Sequence, residues 1–311
     1  MSLDGILVIN KPVGPTSHDV VGLIRRLAAT KRVGHGGTLD PFASGVLPVF
    51  LGKATRLVEY HLGDRKHYRA TVCFGASSTT DDLEGALTPA AGPVPARPAV
   101  EAALASFRGP IEQRPPAYSA IKVAGRRAYA LARAGQAVEL APRSVTIHAI
   151  DIVTWDEATV GEPVAVIDVE CSAGTYVRSL ARDLGEAVGS AAYLGALTRT
   201  ASGAFTLGMA RDLDAVRAAV ADGPDAIAAA LLPVDSGLEL PTVIVPESLF
   251  LALGRGQAIG VPSGTEALPA DRPIRLVDAA GRLLAIARLD GTKLAPDKVV
   301  MDAPSGVEAP A

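Results

Sequence analysis

The chain has 311 residues, 49% of them apolar, and a formal net charge of −3. That length accommodates one large domain and a small one with a substantial core. No apolar run reaches membrane-span length, and the N-terminus lacks the basic flank and apolar core of an export signal, so membrane and secreted classes are set aside and a cytoplasmic protein is expected. The only cysteines, Cys73 and Cys171, lie in apolar runs. They read as reduced core thiols, and a lone pair without flanking histidine gives no zinc pattern.

In chain order, residues 5–9 (GILVI) read as a strand that exits at Asn10-Lys11-Pro12. Thr16 or Ser17 can cap the next element, a helix over 18–29 with Val20, Val21, Ile24, Leu27 and Ala28 on one face. The stretch 34–48, GHGGTLDPFASGVLP, follows. Gly34, Gly36 and Gly37 permit close backbone approach, and Pro41 holds Asp40 in extended geometry. Asp40 is thus a carboxylate on a shaped loop that runs into apolar sequence. Such a loop suits a catalytic group, but aspartate equally serves as a turn former, and the loop alone does not decide between the two. The glycines are not followed by Gly-Lys-Ser/Thr, so a Walker-type phosphate cradle is excluded.

Residues 46–51 read as a buried helix or strand. Tyr68, Ala70, Val72 and Phe74 then alternate with Arg69, Thr71 and Cys73, which is a strand pattern. Lys66, His67 and Arg69 place Tyr68 on a wet, basic edge. Residues 75–98 read as a loop and 99–107 as a helix. The run 114–133, RPPAYSAIKVAGRRAYALAR, starts extended at its prolines and ends helical. Its tyrosines, interleaved with basic residues, suit either a nucleic acid or a core. Strands are expected at 144–155 and 163–171. A helix follows the Ser-Ala-Gly-Thr-Tyr-Val-Arg run at 172–178. Arg178 near that helix's start opposes its dipole, so an anionic partner is expected. Residues 194–207 look like a short strand and turn, and 212–232 an Ala-rich helical region. Residues 233–246, with three prolines, read as a linker, 247–302 as a small β-rich domain, and 303–311 as a disordered tail.

The charge is unevenly distributed. Residues 1–72 carry ten Lys/Arg against five Asp/Glu, and 108–143 seven against two, whereas 151–170 hold six acids and no Lys/Arg. This asymmetry fits a polyanion-binding face, unless the charges fold back and pair.

GHGGTLDPFASGVLPV, KHYRATVCFG, RPPAYSAIKVAGRRAY and SAGTYVRSLARDLG stand in one order and spacing. Together they resemble the motifs of the bacterial TruB-type tRNA pseudouridine synthases, which modify uridine 55 in the T loop. The resemblance covers residues 3–210. The C-terminal part is similar to a PUA-type RNA-binding domain. The implied fold is α+β, a mixed and mainly antiparallel sheet flanked by helices. It would comprise a catalytic domain over 1–232 and a PUA-like domain over 247–302.

The resemblance also implies roles. Asp40 matches the essential aspartate. Tyr68 matches the tyrosine that packs on the target uracil and is the candidate base at C5, and Arg178 the arginine that pairs with the aspartate. Tyr176 and Leu197 match pocket walls. His35 matches the histidine that enters the space left by flipped nucleotides. Lys11 supports the wall of the site, and Asp82 matches an acidic loop position. Gly36 and Ser44 depart from the threonines found in many members, which bears on loop geometry. No cofactor, metal or protein partner is implied. The partner is tRNA, gripped at the T arm and the acceptor-stem side. The alternatives are an aspartate-nucleophile hydrolase, which would need a second acid or a metal cluster, and a non-catalytic tRNA-binding or RNA-chaperone protein.

Overall fold

The computed structural model describes residues 3–119, 122–123, 126–127, 140–157, 162–221, 225–265 and 267–302. Its centre is a large sheet built from β1 (Gly5–Lys11), β2 (Val33–His35), β3 (Ser44–Leu51), β4 (Lys66–Phe74), β7 (Gly109–Gln113), β10 (Arg143–Asp156), β11 (Val164–Cys171), β12 (Ala192–Ser202), β13 (Phe205–Thr206) and β14 (Arg211–Asp212). The order is β14-β1-β3-β12-β4-β11-β10-β7, with β2 on β3 and β13 on β12. The pairings are antiparallel except β1 with β14 and β3 with β12. Short hairpins β5 (Ala76–Ser78)/β6 (Leu87–Pro89) and β8 (Lys122–Val123)/β9 (Arg126–Arg127) stand outside the sheet.

The parallel β3/β12 contact is only two residues long, Thr198 opposite Ser44 and Arg199 opposite Gly45. It is the seam between two halves of the sheet. On one side, α1 (Ser17–Leu27) lays Val20, Val21 and Ile24 on Leu7, Ile9, Leu47 and Val49. On the other, α3 (Arg97–Leu104) and α4 (Val177–Ala187) cover β4, β11 and β12 with Val100, Leu104, Leu180, Ala181 and Leu184. Two amphipathic layers thus bury one face of each half-sheet. The Ala-rich region forms α5 (Leu213–Ala221) and α6 (Asp225–Ala230), and Leu213, Val216 and Ile227 join the α1 side.

The C-terminal region is a five-stranded sheet ordered β15-β17-β18-β19-β16, with β15 (Thr242–Ile244), β16 (Ile259–Gly260), β17 (Ile274–Val277), β18 (Leu283–Asp290) and β19 (Lys293–Val299), plus the short helix α7 (Phe250–Gly254). It is fastened to the large domain. Leu57 and Tyr60 pack with Leu238, Val277, Leu283 and Ile286, and Lys298 pairs with Glu59 at 3.0 Å.

Five expectations change. Tyr68 is not on an edge. β4 lies between β12 and β11 in mid-sheet, Tyr68 and Lys66 are buried, and Arg69 is paired with Asp168 at 2.7 Å. Residues 192–202 form an eleven-residue central strand rather than a short one. The expected linker 233–246 contains β15, which pairs in parallel with β17, and Val234 and Leu238 pack into the joint between the domains. Proline density there reflects an irregular but packed crossing. The loop expected at 75–98 carries the β5/β6 hairpin. Within the 114–133 run, 122–123 and 126–127 pair as the β8/β9 hairpin where a helix is expected to follow the prolines, and 128–133 and the tail 303–311 lie outside the described residues.

Part of the charge asymmetry does fold back. Asp168, Glu170 and Asp151 pair with Arg69, Arg65 and Arg108.

The seam requires a glycine. Gly45 sits at φ +105°, and a Cβ there would lie 2.2 Å from the Arg199 carbonyl oxygen. Both the left-handed backbone and the strand pairing oppose a side chain. Gly45→Ala is expected to lower unfolding free energy by about 3 kcal/mol or more, measured by urea titration.

Candidate active site

The stretch 36–46 bridges β2 and β3 at the seam, and its backbone is anchored carbonyl by carbonyl. Gly37 and Thr38 accept from Arg199 Nη2 (3.1 Å) and Nη1 (3.3 Å). Leu39 exchanges two hydrogen bonds with Ser17 Oγ, at 2.8 and 3.1 Å. The Asp40 carbonyl accepts from the Ala43 amide at 3.1 Å. That of Pro41 accepts from the Gly14 amide at 2.8 Å and Lys11 Nζ at 3.4 Å. A loop whose successive carbonyls from Gly37 to Pro41 are all engaged has little freedom to rearrange. Ser17 is therefore a loop anchor, and Thr16 caps α1 through a reciprocal box with Asp19.

This loop presents Asp40 to α4. Its Oδ2 lies 3.1 Å from Arg178 Nε, and the Asp40 side chain is 36% exposed on the open side. Among the described residues no backbone amide donates to that carboxylate, so the turn-former role does not engage it. Burial pushes the Asp40 carboxyl above the usual aspartate range, and Arg178 pulls it back. Asp82 adds a further upward push and Lys11 a further downward one.

Arg178 is almost fully buried. Besides Asp40 it reaches Asp82 Oδ2 at 3.2 Å, the Thr80 carbonyl at 3.3 Å and the Tyr118 carbonyl at 3.0 Å. The anionic partner expected from its helix position is thus a pair of carboxylates. Asp82 is 2% exposed and also accepts from Thr80 Oγ1 and the Glu84 amide. This gives the acidic loop position a structural part, which is to hold Arg178.

The neighbouring strands supply the apolar floor. Tyr68 on β4 and Leu197 on β12 are both buried in one cluster with Leu39, Phe42 and Ala43. In register, Arg199 stands opposite Tyr68. Burial raises the Tyr68 phenol and Arg199 lowers it. Lys11 is fully buried, with Nζ donating to the carbonyls of Pro12 (2.8 Å) and Pro15 (2.9 Å) as well as Pro41. Its ammonium holds the wall and is not presented to the cleft.

Two expected residues lie on the flanks. His35 accepts from the Gly37 amide at Nδ1 (3.3 Å), and its ring meets His18 edge-on at 6.1 Å. Burial, then His18 and Arg199, hold it below the usual histidine value, so at neutral pH its remaining proton sits on Nε2. Tyr176 precedes α4. Its backbone is clasped by Gln113 at 2.7 and 3.0 Å, and the Arg143 guanidinium lies 4.7 Å from its ring centroid.

Sequence reasoning missed Arg199, Lys66 and Gln113. Arg199 is 1% exposed and also donates to the Val46 carbonyl at 2.7 Å. The available signal was a charge within the run Leu194–Leu207, which reads as a short strand and turn. Among the described residues no group of three or more His, Cys, Asp or Glu could hold a metal ion, and no helix is long and apolar enough to cross a membrane.

The chain matches a family model described as TruB family pseudouridylate synthase (N terminal domain) over residues 25–177, and one described as tRNA pseudouridylate synthase B C-terminal domain over 178–239. It is 44% identical to the tRNA pseudouridine synthase B of Bradyrhizobium diazoefficiens, over 95% of this chain and 85% of that one. The protein of that name from Bacillus licheniformis is 40% identical over 96% and 98%. Among solved structures, a Cbf5-Nop10-Gar1 complex contains a chain that superposes with a TM-score of 0.73 at 27% identity, covering 97% of this chain and 86% of that one.

The buried cations give a test of the site's electrostatics. Burial lowers Lys11 and Lys66 each from 10.5 to about 8, and the Asp40 charge partly offsets this at Lys11. Lysine-selective NMR titration should therefore show two ammonium groups deprotonating near pH 8. In Asp40→Asn the offset is gone, so Lys11 should titrate lower still while Lys66 stays in place.

Proposed function

The chain belongs to the TruB family of pseudouridylate synthases, and from that membership we infer that it isomerises uridine to pseudouridine in tRNA, with uridine 55 of the T loop as its target. The observation that carries the site assignment is the Asp40 carboxylate held 3.1 Å from Arg178 on a loop anchored at its carbonyls, beside the apolar floor of Tyr68 and Leu197.

The reaction breaks the bond from ribose C1′ to uracil N1, turns the base, forms the bond from C1′ to C5, and moves one proton from C5 to solvent while N1 gains one. No electrons or groups enter from outside. The base must leave the stack to reach a carboxylate at the foot of a cleft. Asp40 acts ionised, either attacking C1′ or taking a ribose proton as the glycosidic bond breaks; both routes need the same charge in the same place. Arg178 supplies that charge's counter-ion. Tyr68 and Leu197 form the apolar floor under the detached uracil and keep water from the reactive carbon.

Tyr68 is the candidate acceptor of the C5 proton. It takes that proton as the phenolate, the form that Arg199 favours and burial opposes, and becomes the phenol as C5 is freed of its hydrogen. His35, with its donor on Nε2, offers a hydrogen bond to the space a flipped nucleotide vacates. Tyr176 walls the pocket, its ring held by Arg143.

We assign tRNA gripping on the acceptor-stem side to the small β-rich domain. Supporting this, Tyr60 bonds Asp297, Arg56 bonds the Val299 carbonyl and Lys53 pairs with Asp302. These contacts set the small sheet at a fixed reach from the cleft, so both address one RNA as a unit.

Incubation with an unmodified tRNA transcript, followed by pseudouridine mapping, should place the product in the T loop. Absence of product with wild-type protein would remove the assignment. Asp40→Asn should lower the rate by at least about a thousandfold while tRNA binding stays within a few-fold. A variant that turns over normally would remove Asp40 from its role.

The pH profile has a defined sign. The working form is the carboxylate, and its pKa is raised, so activity is complete above that pKa and falls as pH drops through it. The acid limb of the single-turnover rate should lie above the ordinary aspartate value. In Arg178→Lys, which places its charge less well, it should move further up.

A further inference from the structure

Arg178 has a counterpart one helical turn away. Residues four apart on a helix share a face, and Arg178 and Arg182 stand in that relation on α4. Arg178 takes Asp82 through Nη1 and the Tyr118 carbonyl through Nη2, at 3.2 and 3.0 Å. Arg182 takes Asp81 Oδ2 through Nη1 at 2.7 Å and the Arg114 carbonyl through Nη2 at 3.0 Å. Its Nε donates to Asp183 at 2.9 Å. The two guanidinium groups therefore grip adjacent acids of one loop and carbonyls four residues apart in one extended segment.

Adjacent side chains of an extended chain point opposite ways. Here both carboxylates face α4 because Asp81 adopts φ +61°, a left-handed conformation uncommon outside glycine, asparagine and aspartate. The turn is held from several sides. The Asp81 amide donates to the Ser78 carbonyl at 3.2 Å, and its carbonyl accepts from the Leu194 amide at 3.0 Å. The Leu83 amide donates to the Leu194 carbonyl at 3.0 Å. Leu194 belongs to β12, the strand of Leu197 and Arg199. A backbone kept in this region by surrounding contacts is a conformation the fold maintains for a purpose.

Taking the proposed reaction as given, we propose that Arg182 and Asp81 form a positioning pair: the outer of two parallel rungs that clamp loop 79–84 and segment 114–118 onto α4, so that the inner rung, Arg178, keeps its Nε within 3.1 Å of the Asp40 carboxylate. Neither residue touches the reacting atoms. Besides Asp40, Arg178 is held by Asp82 and the Thr80 carbonyl on the loop and by the Tyr118 carbonyl on the segment. If the outer rung opens, the loop loses one of its ties to α4 and the segment loses its anchor at Arg114, and the guanidinium shifts with them. Misplacement by about an ångström costs a reaction of this kind one to two orders of magnitude.

The pair is tested on the full chain with Arg182→Gln, Asp81→Asn, the double variant and Arg182→Lys. Single-turnover rates at saturating enzyme, tRNA dissociation constants and the acid limb are measured for each. Asparagine tolerates the left-handed backbone, so Asp81→Asn decides the matter if Arg182→Gln fails to fold. The expected result is a slowing of about tenfold in each single variant, with tRNA affinity within about twofold. The acid limb should shift to higher pH, because a poorly aimed Arg178 lowers the Asp40 pKa less. The double variant should be no slower than the slower single one, and Arg182→Lys should recover part of the rate.

A drop in melting temperature with an unchanged rate and acid limb would reduce the pair to a structural role and overturn the proposal. So would slowing in both variants that multiplies in the double. A wild type that makes no pseudouridine removes the reaction assignment instead. The pair is then judged by 13C titration of the Asp40 carboxyl, which Arg182→Gln must raise and which an unmoved value would refute.

Discussion

Everything at this site converges on one guanidinium. A buried cation is tolerated only when paired and hydrogen-bonded, and Arg178 meets that condition by drawing in a loop from each side, 34–48 through Asp40 and 79–84 through Asp82. The two carboxylates are not equivalent. Asp82 is enclosed and its oxygens are taken by Thr80, Glu84 and Arg178, whereas Asp40 opens to the cleft. One acid fixes the arginine, and the fixed arginine then favours the charged form of the other acid against the push of burial, without covering it. Were Asp82 absent, Arg178 could turn wholly to Asp40 and bury its carboxylate.

The second constraint is the seam. Two half-sheets meet through a two-residue parallel contact, and the loop that carries Asp40 enters β3 at that contact. A short junction leaves the entry to β3 free to bend away as the loop that carries Asp40, which a full ladder of hydrogen bonds would prevent. Its weakness is offset by Arg199, whose guanidinium bonds Gly37, Thr38 and Val46 across the junction. The same side chain stands beside Tyr68. The cation that closes the seam therefore also tunes the phenol on its far side.

What the sequence revealed followed from local chemistry. The Gly-rich, proline-fixed loop marked Asp40, the period-two pattern placed Tyr68 on a strand face, and the helix-start position of Arg178 called for an anion. What it concealed depends on pairings between distant segments. Arg199 gains its role from carbonyls about 160 positions earlier, and Gln113 from the Tyr176 backbone 63 residues on. Composition hid both. The basic flank of Tyr68 read as an exposed edge because nothing local showed that Asp168 would lie opposite Arg69. The prolines of 233–246 read as a linker because the parallel partner of Thr242–Ile244 is the distant run Arg275–Val277.

The arrangement also explains how a chain of net charge −3 can present a receptive site to a polyanion. Lys11, Lys66, Arg178 and Arg199 surround the cleft floor against Asp40 and Asp82, and Tyr68 stays neutral. Two of those cations are held near pH 8 by burial, so the floor keeps its positive surplus at neutral pH but is close to losing it. An incoming phosphate would raise both lysine pKa values and retain the charge, whereas an uncharged ligand would not. The surplus is thus strengthened by the kind of ligand it attracts. Because it lies beneath the loop and not on the surface, its field is felt close to Asp40 and is screened along the rest of an extended polyanion.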